Sequence, residues 1–193
     1  EWVTSSTQFN LTAEDDINGT GVNKTYYRIW YNNVWSSWEE YTENFSLSGE
    51  GKHYIEYYSV DNAGNNESVH NQTHYVDDAP PITILSYGSP YYTDGTSNWI
   101  TNSTEITLAA SDTGSGVMEA YFSIDGGTAQ IYTAPFIISS EGMHTIEYYS
   151  IDNLGNEETH HAATVYVDST PPVTTLSYGT PYYTDGIHEW IAL

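Results

Sequence analysis

The sequence returns on itself after 91 residues. HYIEYYSVDNAGN at 53–65 reappears as HTIEYYSIDNLGN at 144–156, and the match runs on without a gap to ITILSYGSPYYTDG at 82–95 and VTTLSYGTPYYTDG at 173–186. Across 53–95, 29 of 43 positions are identical at the 91-residue shift. That period is too long for one turn of a solenoid and suits one domain, so the chain is an array of one module. Glu1-Trp2-Val3, Trp99-Ile100 and Glu189-Trp190-Ile191 mark the same point in successive copies. The expected divisions are a first module over 1–78 that lacks its opening strand, a complete module over 79–169, and the opening strand of a third over 170–193. The chain then reads as a window on a longer array, or as a subunit whose ends complete one another.

Within each period the apolar residues alternate with a spacing of two. Ile106 and Leu108 share one face between threonines, and so do Ile146 and Tyr148. The runs are rich in β-branched and aromatic residues and are bounded by Gly, Asn, Asp and Pro, which is strand patterning. Thr113-Gly114-Ser115-Gly116 and Asp125-Gly126-Gly127 are turn signals, the second a hairpin loop. Six or seven short strands in a module of this size imply an all-β fold of tandem Ig-like or fibronectin-like β-sandwiches. Ile55 and Ile146 should be buried at equivalent positions. Asp77-Asp78-Ala79-Pro80-Pro81 and Asp168-Ser169-Thr170-Pro171-Pro172 are the joints, and paired prolines favour extended, stiff linkers. The segments that follow, Ile82 to Tyr87 and Val173 to Tyr178, should each be the strand that opens a module.

Charge narrows the partners. Acidic residues number 26 and basic ones 3, a formal net charge of −23. Such a surface repels phosphate backbones and anionic headgroups, which argues against nucleic acid and membrane surfaces. No apolar run approaches the ~20 residues of a membrane span. Disorder is not implied, because aromatics make up 15% of the chain.

The order VD-x-x-PP-x-T-x-LSYG, W-I, TLAASDTGSGV, YFSIDGG, YTAPF, EGMHTIEYYSIDNLGNEE and YVD resembles the extracellular Ig-like repeat of the OmpL47 type found in bacteria and archaea. The first module departs from it, with Trp30-Tyr31-Asn32-Asn33 where the second has Asp125-Gly126-Gly127, and Asn44 in place of Pro135. The resemblance implies a secreted or cell-surface protein, non-catalytic, acting as a structural repeat of a filament, sheath or surface layer. An adhesin stalk or glycan-binding module is the rival expectation.

The residues that carry chemistry fit that picture. Asn10, Asn18, Asn23, Asn44, Asn66, Asn71 and Asn102 each head an Asn-x-Ser/Thr sequon, the acceptor pattern for N-glycans and also a product of simple Asn, Ser and Thr richness. Asp15, Asp16, Asp61, Asp77, Asp78, Asp112, Asp152 and Asp168 gather at joints and turns. Structural calcium is one reading, since it takes six to eight oxygens from several loops, and local turn chemistry is the other. No zinc set is expected, because His53 and His144 are repeat equivalents and His160-His161 would point to opposite faces of a strand. With no cysteine, no G-x-S-x-G and no phosphate loop, catalysis has no candidate residues. The longer loop carrying Trp30 and Trp35 is either a cross-strand aromatic pair or a contact surface. At the other end Val173, Thr175 and Leu176 lie on a strand without a module of its own. They are expected to pack against the first module, which makes other copies of the chain, joined head to tail, the expected partner, with surface glycans a further candidate.

Overall fold

The computed structural model describes residues 1–180 and 182–191, and no helix occurs among them. Residues 1–76 contribute β1 (Trp2–Val3), β2 (Val22–Tyr31), β3 (Val34–Trp35), β4 (Glu39–Glu40), β5 (Gly51–Asp61) and β6 (His70–Val76). They form one sheet in the order β1-β6-β5-β2-β3, with β4 on the same side of β2. Residues 82–167 contribute β7 (Ile82–Tyr87), β8 (Tyr91–Thr93), β9 (Asn98–Ile100), β10 (Ile106–Ser111), β11 (Val117–Ile124), β12 (Gln130–Ile131), β13 (Gly142–Asp152) and β14 (His161–Val167). Here there are two sheets, β12-β11-β13-β14-β9-β8 and the pair β10-β7. A last hairpin, β15 (Tyr182–Thr184) with β16 (Glu189–Ile191), repeats β8–β9.

The second module is a β-sandwich because its alternating apolar residues point inward from both sheets. Ile146, Val165 and Val167 from the large sheet meet Ile106, with Leu85 and Tyr87 packed beside them from the small one. Ile55 is 2% exposed and Ile146 fully buried, as their equivalence requires. The registers agree as well: Ile29 faces Ile55 as Ile124 faces Ile146, and Trp2 runs beside Tyr75 as Trp99 does beside Tyr166. Even the β-bulge recurs, at Val22/Lys24 and at Val117/Glu119.

The first module has only half of this. Residues 9–14 correspond to β10, yet only Phe9 makes a bridge, to Phe45, just as Ile106 does to Phe136. A strand needs a neighbour for its N–H and C=O groups, and the partner that β7 gives β10 is missing here. The same reason corrects one sequence expectation. Residues 173–178 carry strand patterning but form no strand, because none of the described residues pairs with them.

The hydroxyl of Tyr87 lies buried in the sandwich without a hydrogen-bond partner, and burial pushes its phenol up to about 12. An orphaned buried hydroxyl costs about 1 kcal/mol or more. Tyr87→Phe should therefore raise the stability of the second module by about 1 kcal/mol, read as a higher midpoint in denaturant unfolding.

Candidate functional site: the joint between modules

The joint is stapled to the module before it. The Asp77 N–H donates to the Val3 carbonyl at 2.9 Å, Asp78 N–H to the Glu50 carboxylate at 2.8 Å, and Ser5 N–H to Asp78 at 2.9 Å. The second joint repeats the device. Asp168 N–H donates to the Ile100 carbonyl at 2.9 Å, and Ser169 N–H to Glu141, the equivalent of Glu50, at 3.0 Å.

The difference lies in what comes next. The Asp77 side chain reaches the second module, where one carboxylate oxygen accepts the Ser115 N–H at 2.6 Å. Its carboxylate sits so close to Gly114 that a Cβ there would collide with it, so the turn over 113–116 favours glycine at that point. Asn156 Nδ2 bridges the two modules, donating to the Asp77 carbonyl at 3.0 Å and to Asp152 at 2.7 Å. Asp77 is consequently 1% exposed. Asp168, its repeat equivalent, is exposed.

Asp112 and Asp152 close the arrangement. Asp112 accepts the Gly114 and Gly116 N–H groups at 3.1 and 2.6 Å. Asp152, fully buried, accepts the Leu154 and Asn156 N–H groups at 2.8 Å each. Burial opposes its ionisation, but the Asn156 side chain and these backbone donors outweigh burial and hold its carboxyl below the usual range. Oxygens of Asp77, Asp112 and Asp152 lie within 4.8 Å of one another. These three are the residues that could hold a hard cation, which prefers carboxylate oxygen and, for calcium, wants six to eight ligands. The partners shown for their carboxylates are N–H donors. Lys24 and Arg28 pair with Glu40 and Glu56, and Lys52 lies over Tyr54. Of the other acidic candidates, Asp61 repeats the Asp152 turn with Asn65, and Asp15 accepts the Gly21 N–H at 2.7 Å. Neither Asp16 nor Asp78 joins the cluster.

The other candidate residues are spread over the surface. All of the sequon asparagines, Asn10, Asn18, Asn23, Asn44, Asn66, Asn71 and Asn102, are exposed. Asn10 Nδ2, the atom a glycan would take, donates to Asn44 at 3.2 Å. Trp30 and Trp35 face each other across β2–β3, whose turn residues Asn32 and Asn33 have φ of 49° and 65°. Trp30 packs on Tyr54, and Arg28 is held at 4.5 and 4.6 Å from the rings of Trp35 and Trp38. Val173, Thr175 and Leu176 are exposed. His160 and His161 stack on Tyr149 and Tyr148 and pair with Glu157 and Glu158.

Sequence reasoning passed over Glu158. This carboxylate, 7% exposed, accepts the Thr83 N–H at 2.8 Å, the Thr83 hydroxyl at 2.6 Å and the Ser150 N–H at 3.1 Å, and pairs with His161 at 2.8 Å. It pins β7 to the opposite sheet. Its signal was present as the last residue of D-N-x-G-N-x-E, in both copies, but nothing in the motif says what the acid binds.

No family model matches the chain, and no curated protein matches it. Among solved structures, the fibronectin(III)-like modules of CbhA from Clostridium thermocellum align over 86% of this chain and 88% of theirs, with 16% identity and a TM-score of 0.37.

Proposed function

We propose that this chain is a length of tandem structural modules, of the OmpL47-like repeat type, in an extracellular or cell-surface assembly of a prokaryote such as a filament, sheath or surface layer. Its role is mechanical and non-enzymatic. The observation that carries the reading is the joint: a linker stapled to one module buries Asp77 in the next, and Asp168 presents the same group one period later. Docked joints make a stiff array, whereas flexible linkers would make a string of independent domains. Small-angle scattering tests this. A rod-like cross-section with a sharply defined distance between modules is expected, and a broad distribution of inter-module distances would reject it.

Exposed sequons suit a surface coated with sugar. Intact-mass measurement of native material should show added hexose-containing mass, removed when the sequon asparagines become glutamine. Protein at its bare polypeptide mass would count against glycosylation.

The rival reading, a glycan-binding stalk, draws on one feature. Tyr92, Trp99 and Tyr166 form a row with ring centres 5.6 Å apart, beside a cavity of about 430 Å3 that includes Tyr91 and Asp168. Aromatic faces suit sugar rings. Saturable quenching of tryptophan fluorescence by oligosaccharides would favour this reading over a purely mechanical one.

A further inference from the structure

Each joint is gripped by a glutamate on a loop, and a buried histidine holds that loop. Glu50, which accepts the Asp78 N–H at 2.8 Å, sits between Ser48 and Gly51, whose carbonyls lie 3.1 and 3.0 Å from the ring nitrogens of His53. Glu141, which accepts the Ser169 N–H at 3.0 Å, follows Ser140, whose carbonyl lies 3.0 Å from Nε2 of His144. The two histidines are 1% and 8% exposed.

The rings differ in their second partner. Nδ1 of His144 lies 2.7 Å from the carboxylate of Asp125, in the turn after β11. The same carboxylate accepts the Thr145 N–H at 2.9 Å, and the Asp125 N–H donates to the Thr145 carbonyl at 2.9 Å. In the first module Trp30 takes the position of Asp125, and His53 stacks on Tyr31 with ring centres 4.4 Å apart.

The Asp125 carboxylate and the Ser140 carbonyl are both acceptors, so the His144 ring satisfies the two only when each nitrogen carries a proton. The Asp125 hydrogen bond is the largest influence and raises the ring above the ordinary histidine value of 6.5, against burial and with the Ser140 carbonyl adding to it. Asp125 stays ionised over that range, since the Thr145 N–H and the His144 ring hold its carboxyl below the usual carboxylate range. Among the described residues, Asp125 is the charged group in contact with the ring. The residue of β14 paired with His144 is Val165, and the Glu141 carboxylate is engaged by Ser169. When Nε2 loses its proton, the Ser140 carbonyl faces a lone pair. What remains is the Ser140 hydroxyl, 3.2 Å away, which can then donate.

We propose that His144 is a proton-operated latch on the joint that follows the second module. With a proton on each nitrogen it ties Ser140 and Glu141 to β13 and to the Asp125 turn, and Glu141 grips Ser169. With one proton gone the segment loosens and Glu141 lets the linker go. A group whose pKa is raised by folding stabilises below its unfolded pKa and loses that contribution as pH rises through the folded value. The latch is therefore closed in mild acid and open in mild alkali. The inference rests on the stiff-joint reading, since only a held linker can be released. A Ser169 held equally at every pH would leave that reading standing and remove this one.

Solvent-exchange NMR on the full chain is the test, with each amide rate corrected for its intrinsic pH dependence. His144 should titrate above 6.5, and protection of the Ser169 amide should fall about fivefold or more as pH rises through that midpoint. The Asp168 amide, bonded to the Ile100 carbonyl and not to the loop, should keep its protection. Asp125→Asn, at an exposed residue whose φ of 53° asparagine accepts, should lower the His144 midpoint and carry the Ser169 transition down with it. Ser140→Ala removes the fallback donor and should deepen the transition. His144→Gln should leave Ser169 exchanging at one fast level at every pH; if that variant does not fold, the Asp125→Asn shift decides. Ser169 protection that does not follow the His144 midpoint, in the unaltered chain or in Asp125→Asn, would overturn the proposal. So would a His144 that titrates below 6.5.

Discussion

Replacing Glu158 with alanine should unseat β7 and cost the second module about 3 kcal/mol. The carboxylate is the acceptor for the Thr83 N–H and hydroxyl and for the Ser150 N–H. Thr83 is 5% exposed and Ser150 fully buried, so water cannot take over the lost bonds without opening the sandwich. For a module of this size that loss lowers the melting temperature by about 12–20 °C, measurable by calorimetry. The equivalent change, Glu67→Ala, should cost less, about 1 kcal/mol, because that side chain is 42% exposed and its partners are the Ser59 N–H and His70, with no threonine. Equal losses at the two positions would contradict the seat described for β7.

The same residue predicts a pH dependence. Burial opposes the charge on Glu158, but hydrogen bonds from Thr83 and the pairing with His161 outweigh it and hold the carboxyl below its ordinary value of 4.5. A carboxyl depressed in the folded state stabilises above its unfolded pKa and loses that contribution as pH falls through the folded value. The second module should therefore lose stability below about pH 4.5, with a shallower slope in Glu158→Gln.

Asp77→Ala should uncouple the modules without unfolding either. It removes the acceptor of a 2.6 Å bond from Ser115 and leaves that N–H facing a void, at a cost to the joint of about 2 kcal/mol. Spin labels on the two modules should report a narrow distance distribution in the unaltered chain and a broad one in the variant. Asp168→Ala is the control: the same residue one period on, exposed, and expected to change nothing in this chain. Broadening in both variants, or in neither, would remove Asp77 from the joint.

Much of this architecture was legible from repetition and alternation. The 91-residue shift placed Ile55 and Ile146 at one core position, and the period of two put Ile106 with Leu108, and Ile146 with Tyr148, on single faces. Both follow from local geometry, because a strand sends alternate side chains to opposite sides wherever it lies. The joint was legible only in part. The sequence marked Asp77, Asp112 and Asp152 as acids at turns, but so were Asp15, Asp16, Asp78 and Asp168, and nothing separated the two groups. The first three meet because a linker and two loops, far apart in the chain, converge once the second module folds. Residues 173–178 show the limit most clearly. Their pattern is that of β7 and should make a strand, yet strand formation depends on a neighbour's N–H and C=O groups, which no local pattern contains. Sequence alone determined the module, its period and its buried faces. Which acid is buried, which glutamate holds a strand and which strand has a partner were decided by tertiary contacts, because a hydrogen bond or a burial is a property of two segments and the sequence lists them one at a time.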